Sequence, residues 1–251
     1  MNISTAYSQY NAGGTQFYIG PKAGVNLTKF TAGKNLEGVP EAYEYAVGFD
    51  AGMMYKFKVT DYISLHGELN FSRRARSVVD STQQIKFRNN HIDAPILFEL
   101  NFKAKNKKIG EFEYYFNGGP QISYWLGGKG RTVLIADGNE QVFEYPLVLG
   151  KGNNTFPSNA NLNRFQYGFI LGSGITLPSV GDNFFVIEAR YFFGQTYLGD
   201  KYTATFGDFT YEDDLRGNYQ MFSLSFAYTF GLNFMPSTEK KSGMKVKTVV
   251  K

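Results

Sequence analysis

His66 and His91 are the two histidines of the chain, and each stands two residues before a carboxylate, Glu68 and Asp93. A His–carboxylate pair is the acid–base half of many hydrolytic sites, and it works only beside a nucleophile or a positioned substrate. No nucleophile stands at a recognisable spacing from His66, which is expected to be a hydrogen-bonded structural histidine. His91 and Asp93 stand where the acids of a membrane protease would, near one rim, and are likewise read as structural. Glu212, Asp213 and Asp214 cluster oxygens of the kind Ca²⁺ prefers, but the ligand spacing of an EF-hand is absent and solvated acids are the preferred reading. The glycines from Gly168 to Gly174 fit neither phosphate-binding fingerprint. Cysteine is absent, which removes thiolate metal sites and disulfides. The expectation is a protein without catalytic residues, metal or cofactor.

The elements that carry these residues have a period of two. In Phe184–Gly194 (FFVIEARYFFG), Phe185, Ile187, Ala189, Tyr191 and Phe193 share one face, while Glu188, Arg190 and Gly194 share the other. The pattern recurs about eight times. Strands are expected over 15–30, 43–58, 62–76, 90–103, 111–127, 164–177, 184–197 and 219–234. Their polar faces hold Lys22, Asp50, Glu68, Glu99, Glu188 and Arg190 near mid-strand, together with repeated glycines. On the last strand Phe222, Leu224 and Phe226 are assigned to the apolar face, and Gln220, Ser223 and Ser225 to the polar one.

Such alternation arises in a soluble lipocalin-type barrel with its apolar face inward, and in a membrane barrel with it outward. Three features favour the membrane barrel. The charges at strand centres exceed what a solvated outer face requires. The polar-face glycines suit a narrow interior that admits large neighbours. Aromatics gather at both ends of the apolar face, with Tyr43, Tyr45, Tyr124, Tyr167 and Tyr197 at one end and Tyr55, Phe57, Phe102, Phe112 and Phe230 at the other, as interfacial girdles do. The expected fold is all-β, a closed antiparallel up-and-down transmembrane barrel of about eight strands with a polar, plugged interior. Lys22, Asp50, Glu68, Glu99, Glu188 and Arg190 are expected to interlock there, because an unpaired buried charge is costly. Phe185, Ile187, Tyr191 and Phe193 are expected to face lipid or a partner protein.

Three short connections (59–61, 104–110, 178–183) alternate with four long ones (31–42, 77–89, 128–163, 199–218). Short turns belong to the periplasmic side and long loops to the outside, which places both termini in the periplasm. Within the third long loop, Thr132–Ala136 and Gln141–Tyr145 flank Asp137-Gly138, a tight-turn dipeptide. A projecting hairpin presenting Val133, Ile135, Asp137, Gly138, Phe143 and Tyr145 to external partners is expected. Residues 1–14 read as a flexible segment, 15–234 as the barrel and 235–251 as a basic tail. The tail holds five Lys and one Glu, so the barrel itself carries 21 bases and 21 acids and offers no basic body for nucleic acid. The first residues lack a basic and then apolar leader, so any signal peptide is expected to lie outside this numbering.

Phe17–Asn26 (FYIGPKAGVN), His91–Phe98 (HIDAPILF), Asn117–Tyr124 (NGGPQISY), Gly168–Ile175 (GFILGSGI) and Glu188–Gly194 (EARYFFG) resemble the successive strand motifs of PorT-like small outer-membrane β-barrels. The resemblance runs from about Phe17 to Phe230. It implies an eight-stranded barrel without enzymatic activity, an accessory subunit of a larger outer-membrane secretion or assembly machine, whose partners are lipid and other outer-membrane or periplasmic proteins. A free-standing barrel that binds an external ligand through its long loops is the alternative. One departure is the tail: strands of this kind usually end the chain on an aromatic, whereas here Phe230 or Phe234 is followed by MPSTEKKSGMKVKTVVK.

Overall fold

The computed structural model describes residues 17–32, 42–79, 83–107, 110–136, 139–147, 163–206, 209–214 and 216–232. Among them run twelve strands: β1 (Phe17–Ala32), β2 (Ala42–Glu44), β3 (Ala46–Lys58), β4 (Ile63–Val79), β5 (Gln83–Asn106), β6 (Gly110–Ala136), β7 (Asn139–Leu147), β8 (Phe165–Pro178), β9 (Phe184–Gly194), β10 (Lys201–Phe206), β11 (Phe209–Asp214) and β12 (Gly217–Leu232). Eight of them close a ring in the order β1–β3–β4–β5–β6–β8–β9–β12, with β12 returning to β1 and every pairing antiparallel. This is a closed up-and-down barrel. Closure removes both sheet edges, so the backbone donors and acceptors find partners around the ring apart from local breaks in the ladders.

The alternation in sequence becomes two solvents in space. Val25, Phe49, Leu69, Ile96, Phe116, Leu171 and Phe226 stand outside and exposed, while Lys22, Asn70, Glu99, Asn117 and Glu188 are buried within. An apolar band around the whole outer wall far exceeds the patches of a few hundred Å² that soluble monomers expose. The lipocalin arrangement is therefore reversed: the polar face lines the lumen. Gln220 departs from its expected place. It lies on the outer face with Phe222, where it accepts a hydrogen bond from the Tyr191 hydroxyl at 2.8 Å, because even-numbered residues of β12 point outward.

One end of the barrel is closed by short connections with built-in stops. Thr60 Oγ1 accepts from the amides of Tyr62 and Ile63 at 3.2 and 3.0 Å. Gly110 and Gly181 take φ of 85° and 68°, which side-chain-bearing residues rarely adopt. At the other end the strands outrun their expected limits. The expected hairpin of Thr132–Ala136 and Gln141–Tyr145 is present within β6 and β7, while Ser77–Val79, Gln83–Asn89 and Gly128–Arg131, expected as loop, are strand as well. The β4–β5 ladder continues to Val79↔Gln84, and β6 exchanges β8 for β7 as its neighbour beyond Tyr124. A bulge makes that extension possible: Asn90 pairs with Gly127 and His91 with Trp125, leaving Leu126 over.

Candidate functional site

The lumen is filled in layers. At its centre Lys22 of β1 lies 2.7 Å from Glu68 of β4 and 3.0 Å from Glu188 of β9. Arg190 of β9 lies 2.7 Å from Glu68 and 2.6 Å from Glu188. Glu68 also accepts from Asn70 at 2.6 Å, and Glu188 from Tyr115 at 2.9 Å and Asn117 at 2.7 Å. Two cations and two carboxylates from three strands thus form a neutral, hydrogen-bonded square. Toward the short-turn end Glu99 forms an ion pair with Lys56, which also donates to Asn101 at 3.2 Å. His66 joins the two layers, with Nε2 2.8 Å from Glu68 and Nδ1 3.3 Å from Glu99. Narrowness is visible at Gly172, where a Cβ would stand 2.8 Å from Arg190 Cγ.

Of the six charged residues selected from the strand pattern, the structure brings Lys22, Glu68, Glu188 and Arg190 into one cluster and links Glu99 to it through His66. Asp50 stands apart. It is buried beside Asn26, and its Oδ1 has no hydrogen-bond partner. Lys56 and Tyr115 complete the cluster although neither was singled out. Their alternation with exposed Phe57 and Phe116 puts both on the lumen face, and the demand that each buried acid meet a cation is the signal that points to Lys56.

Toward the hairpin end Arg74 donates to both oxygens of Asp93 at 2.7 and 2.8 Å and to Ser123 at 3.0 Å. Asp93 thus serves Arg74, and His91 instead sets its ring edge-on to Tyr219 with centroids 6.3 Å apart. Arg76 lies over the rings of Phe30 and Phe87, at 4.6 and 5.0 Å. Trp125 Nε1 donates to Asn89, which donates to the Tyr219 hydroxyl. These groups form a third packed layer across the lumen.

On the outer wall Phe185 and Phe193 are exposed and Ile187 and Tyr191 half-buried, all on one face of β9. The hairpin β6–β7 stands beyond the ring. Ala136 pairs with Asn139, and Asp137 and Gly138 lie outside the described residues. Val133 pairs with Val142, and Thr132 Oγ1 lies 3.2 Å from the Tyr145 hydroxyl, while Phe143 is half-buried. Ile135 pairs with Glu140. The backbone carrying Glu212, Asp213 and Asp214 belongs to β11, which pairs with β10 as a second hairpin. Segments 1–14 and 235–251, with Phe234, lie outside the described residues.

A family model described as the outer membrane protein beta-barrel domain matches residues 7–198. The chain belongs to this family. As a member of the outer membrane protein beta-barrel family it is a bacterial outer-membrane protein. No curated protein matches the sequence. Among solved structures, the chain is similar to the outer membrane protein OprG from Pseudomonas aeruginosa, at 11% identity and a TM-score of 0.46, over 87% of this chain and 97% of that one. It is also similar to Neisserial surface protein A, at 13% identity and 0.40, over 86% and 97%. A third is the E. coli outer membrane protein W, at 13% and 0.40, over 86% and 98%.

Proposed function

We propose that this barrel is non-enzymatic and serves as a structural or accessory subunit of a multiprotein outer-membrane secretion or assembly machine, as the PorT-like strand motifs suggest. The observation that carries the reading is the filled lumen. Three layers of buried charge and aromatic rings cross it, and neither histidine there is set against a nucleophile among the described residues. A plugged barrel works through its surfaces. Phe185, Ile187, Tyr191 and Phe193 on β9 offer an apolar contact that acyl chains or a neighbouring protein would fit equally well.

The short turns are assigned to the periplasm and the β6–β7 and β10–β11 hairpins to the cell exterior, with both chain ends periplasmic. The chain has no cysteine, so a single introduced one reports cleanly. A membrane-impermeant maleimide should label Gln141→Cys on whole cells and spare Ser179→Cys; the opposite pattern reverses the orientation. The subunit role is tested by gentle detergent extraction with a C-terminal tag, followed by sizing and mass spectrometry. Elution in fixed proportion with larger outer-membrane proteins supports it, and elution alone counts against it. The projecting β6–β7 hairpin favours one other reading, a free-standing barrel that binds an external partner. Deleting Thr132–Tyr145 would then abolish binding while leaving the barrel intact.

A further inference from the structure

The outer wall of the extended strands carries a charge pattern that folding alone does not explain. Lys86 of β5 pairs directly with Arg131 of β6, and Arg88 with Lys129. All four side chains are exposed on the outer face. Like charges set directly across a strand pair destabilise it, and here two such pairs stand side by side. With Gly130, Glu144, Tyr145 and Pro146 they line a recess of about 350 Å³. Glu144 is its one acid, 3.8 Å from Arg131. The bulge at Asn90/His91 creates the cluster. Below it, odd-numbered residues of β6 such as Tyr115 and Trp125 point into the lumen; above it, Lys129 and Arg131 point out.

We propose that this recess binds the phosphate groups of a lipid headgroup in the outer leaflet. Height and direction both favour a lipid over a protein. Ile92 and Tyr124 pair at the edge of the apolar band, and Arg88 lies four residues further along β5. At about 3.4 Å per residue and a tilt near 45°, that is roughly 10 Å of height, from which Lys and Arg side chains reach the headgroup layer. The quartet faces sideways, along the membrane plane, toward neighbouring lipid. The basic residues just below are already engaged locally: Arg73 donates to Asn90, Arg164 donates to the Tyr124 hydroxyl, and Lys29 lies over the Tyr45 ring. A phosphate, with several acceptor oxygens and more than one charge, relieves the repulsion within the quartet and takes charge-assisted hydrogen bonds from both strands.

The inference rests on the outward orientation of this rim, and the maleimide labelling above tests that orientation by itself. Native mass spectrometry of the detergent-solubilised protein titrated with diphosphoryl lipid A tests the site. Each of Lys86→Gln, Arg88→Gln, Lys129→Gln and Arg131→Gln should weaken binding about fivefold, and the four together by on the order of 10²-fold or more. Glu144→Gln should strengthen it a few-fold. Lipid A stripped of its phosphates should bind the native protein no better than diphosphoryl lipid A binds the quadruple variant. Undiminished binding by the four single variants overturns the proposal, as does equal affinity for the dephosphorylated lipid. Inorganic phosphate binding as tightly as the lipid also overturns it, since the ligand would then be the free anion. The single variants carry the test should the quadruple one fail to fold. Labelling at Ser179→Cys in place of Gln141→Cys would remove the outer-leaflet assignment while leaving the measured affinities standing.

Discussion

Glu68→Gln is the sharpest test of the lumen cluster, because it removes one charge and almost no volume. Glu68 meets Lys22 at 2.7 Å, two nitrogens of Arg190 at 2.7 and 3.0 Å, Asn70 at 2.6 Å and His66 at 2.8 Å. Its carboxamide replacement keeps one acceptor, so Glu188 alone would balance two buried cations. Breaking a buried pair by removing one partner costs about 3–5 kcal/mol. Lys22 and Arg190 each retain Glu188, at 3.0 and 2.6 Å, so the lower end applies, about 3 kcal/mol or roughly a 10²-fold loss in the folded-to-unfolded ratio. Urea titration in lipid vesicles, read as the folded band on an unheated gel, measures this. Lys22→Met/Glu68→Gln restores neutrality through Arg190 and Glu188 and should regain most of the loss. A single variant within about 1 kcal/mol of the native protein, or a double variant no more stable than the single, would refute the charge-balance argument.

Asp93→Asn should cost a similar amount, about 3 kcal/mol, because it leaves the buried Arg74 without its carboxylate, and the Arg74→Met/Asp93→Asn double variant should recover part of it in the same titration. Gly172→Val places a branched side chain against Arg190 and Asn117 and should destabilise the barrel by about 1–3 kcal/mol without changing its charge, again read by urea midpoint. Phe226→Arg at mid-strand on the outer wall should cost about 2–4 kcal/mol in a bilayer, whereas the same substitution at Tyr45, near the end of the band, should cost at most about 1 kcal/mol.

Period-two alternation made the ring legible from sequence, since both solvents leave their mark on every second residue. The start of β3 and the run of β9 show this: Phe49 and Phe185 outward, Asp50 and Glu188 inward. Alternation failed where its phase broke. The extra Leu126 inverts the faces of β6, so Lys129 and Arg131 fall out of phase with the strand below and read as loop in the sequence. The adjacent Gly127 and Gly128 are the local mark of that break. Pairing within the lumen was legible only in part, because alternation says which side chains enter the barrel and nothing of their height. Strand stagger sets Lys22 beside Glu68 and Glu188, and keeps Asp50 out of the ion-paired square.

The pairing of β1 with β12 brings Phe17 beside Leu232, the two limits of the described barrel. Closing the wall therefore waits on β1 meeting β12, partners from opposite limits of the described barrel, and until they meet the sheet is an open ribbon with two unpaired borders. Such long-range closure is slow and leaves the chain prone to aggregate. The seam itself is imperfect: the ladder skips Gly20 and Pro21 on the β12 side, where proline has no amide to give. That gap is the natural place for the wall to part again, and hydrogen exchange should find it the first stretch of β1 to open.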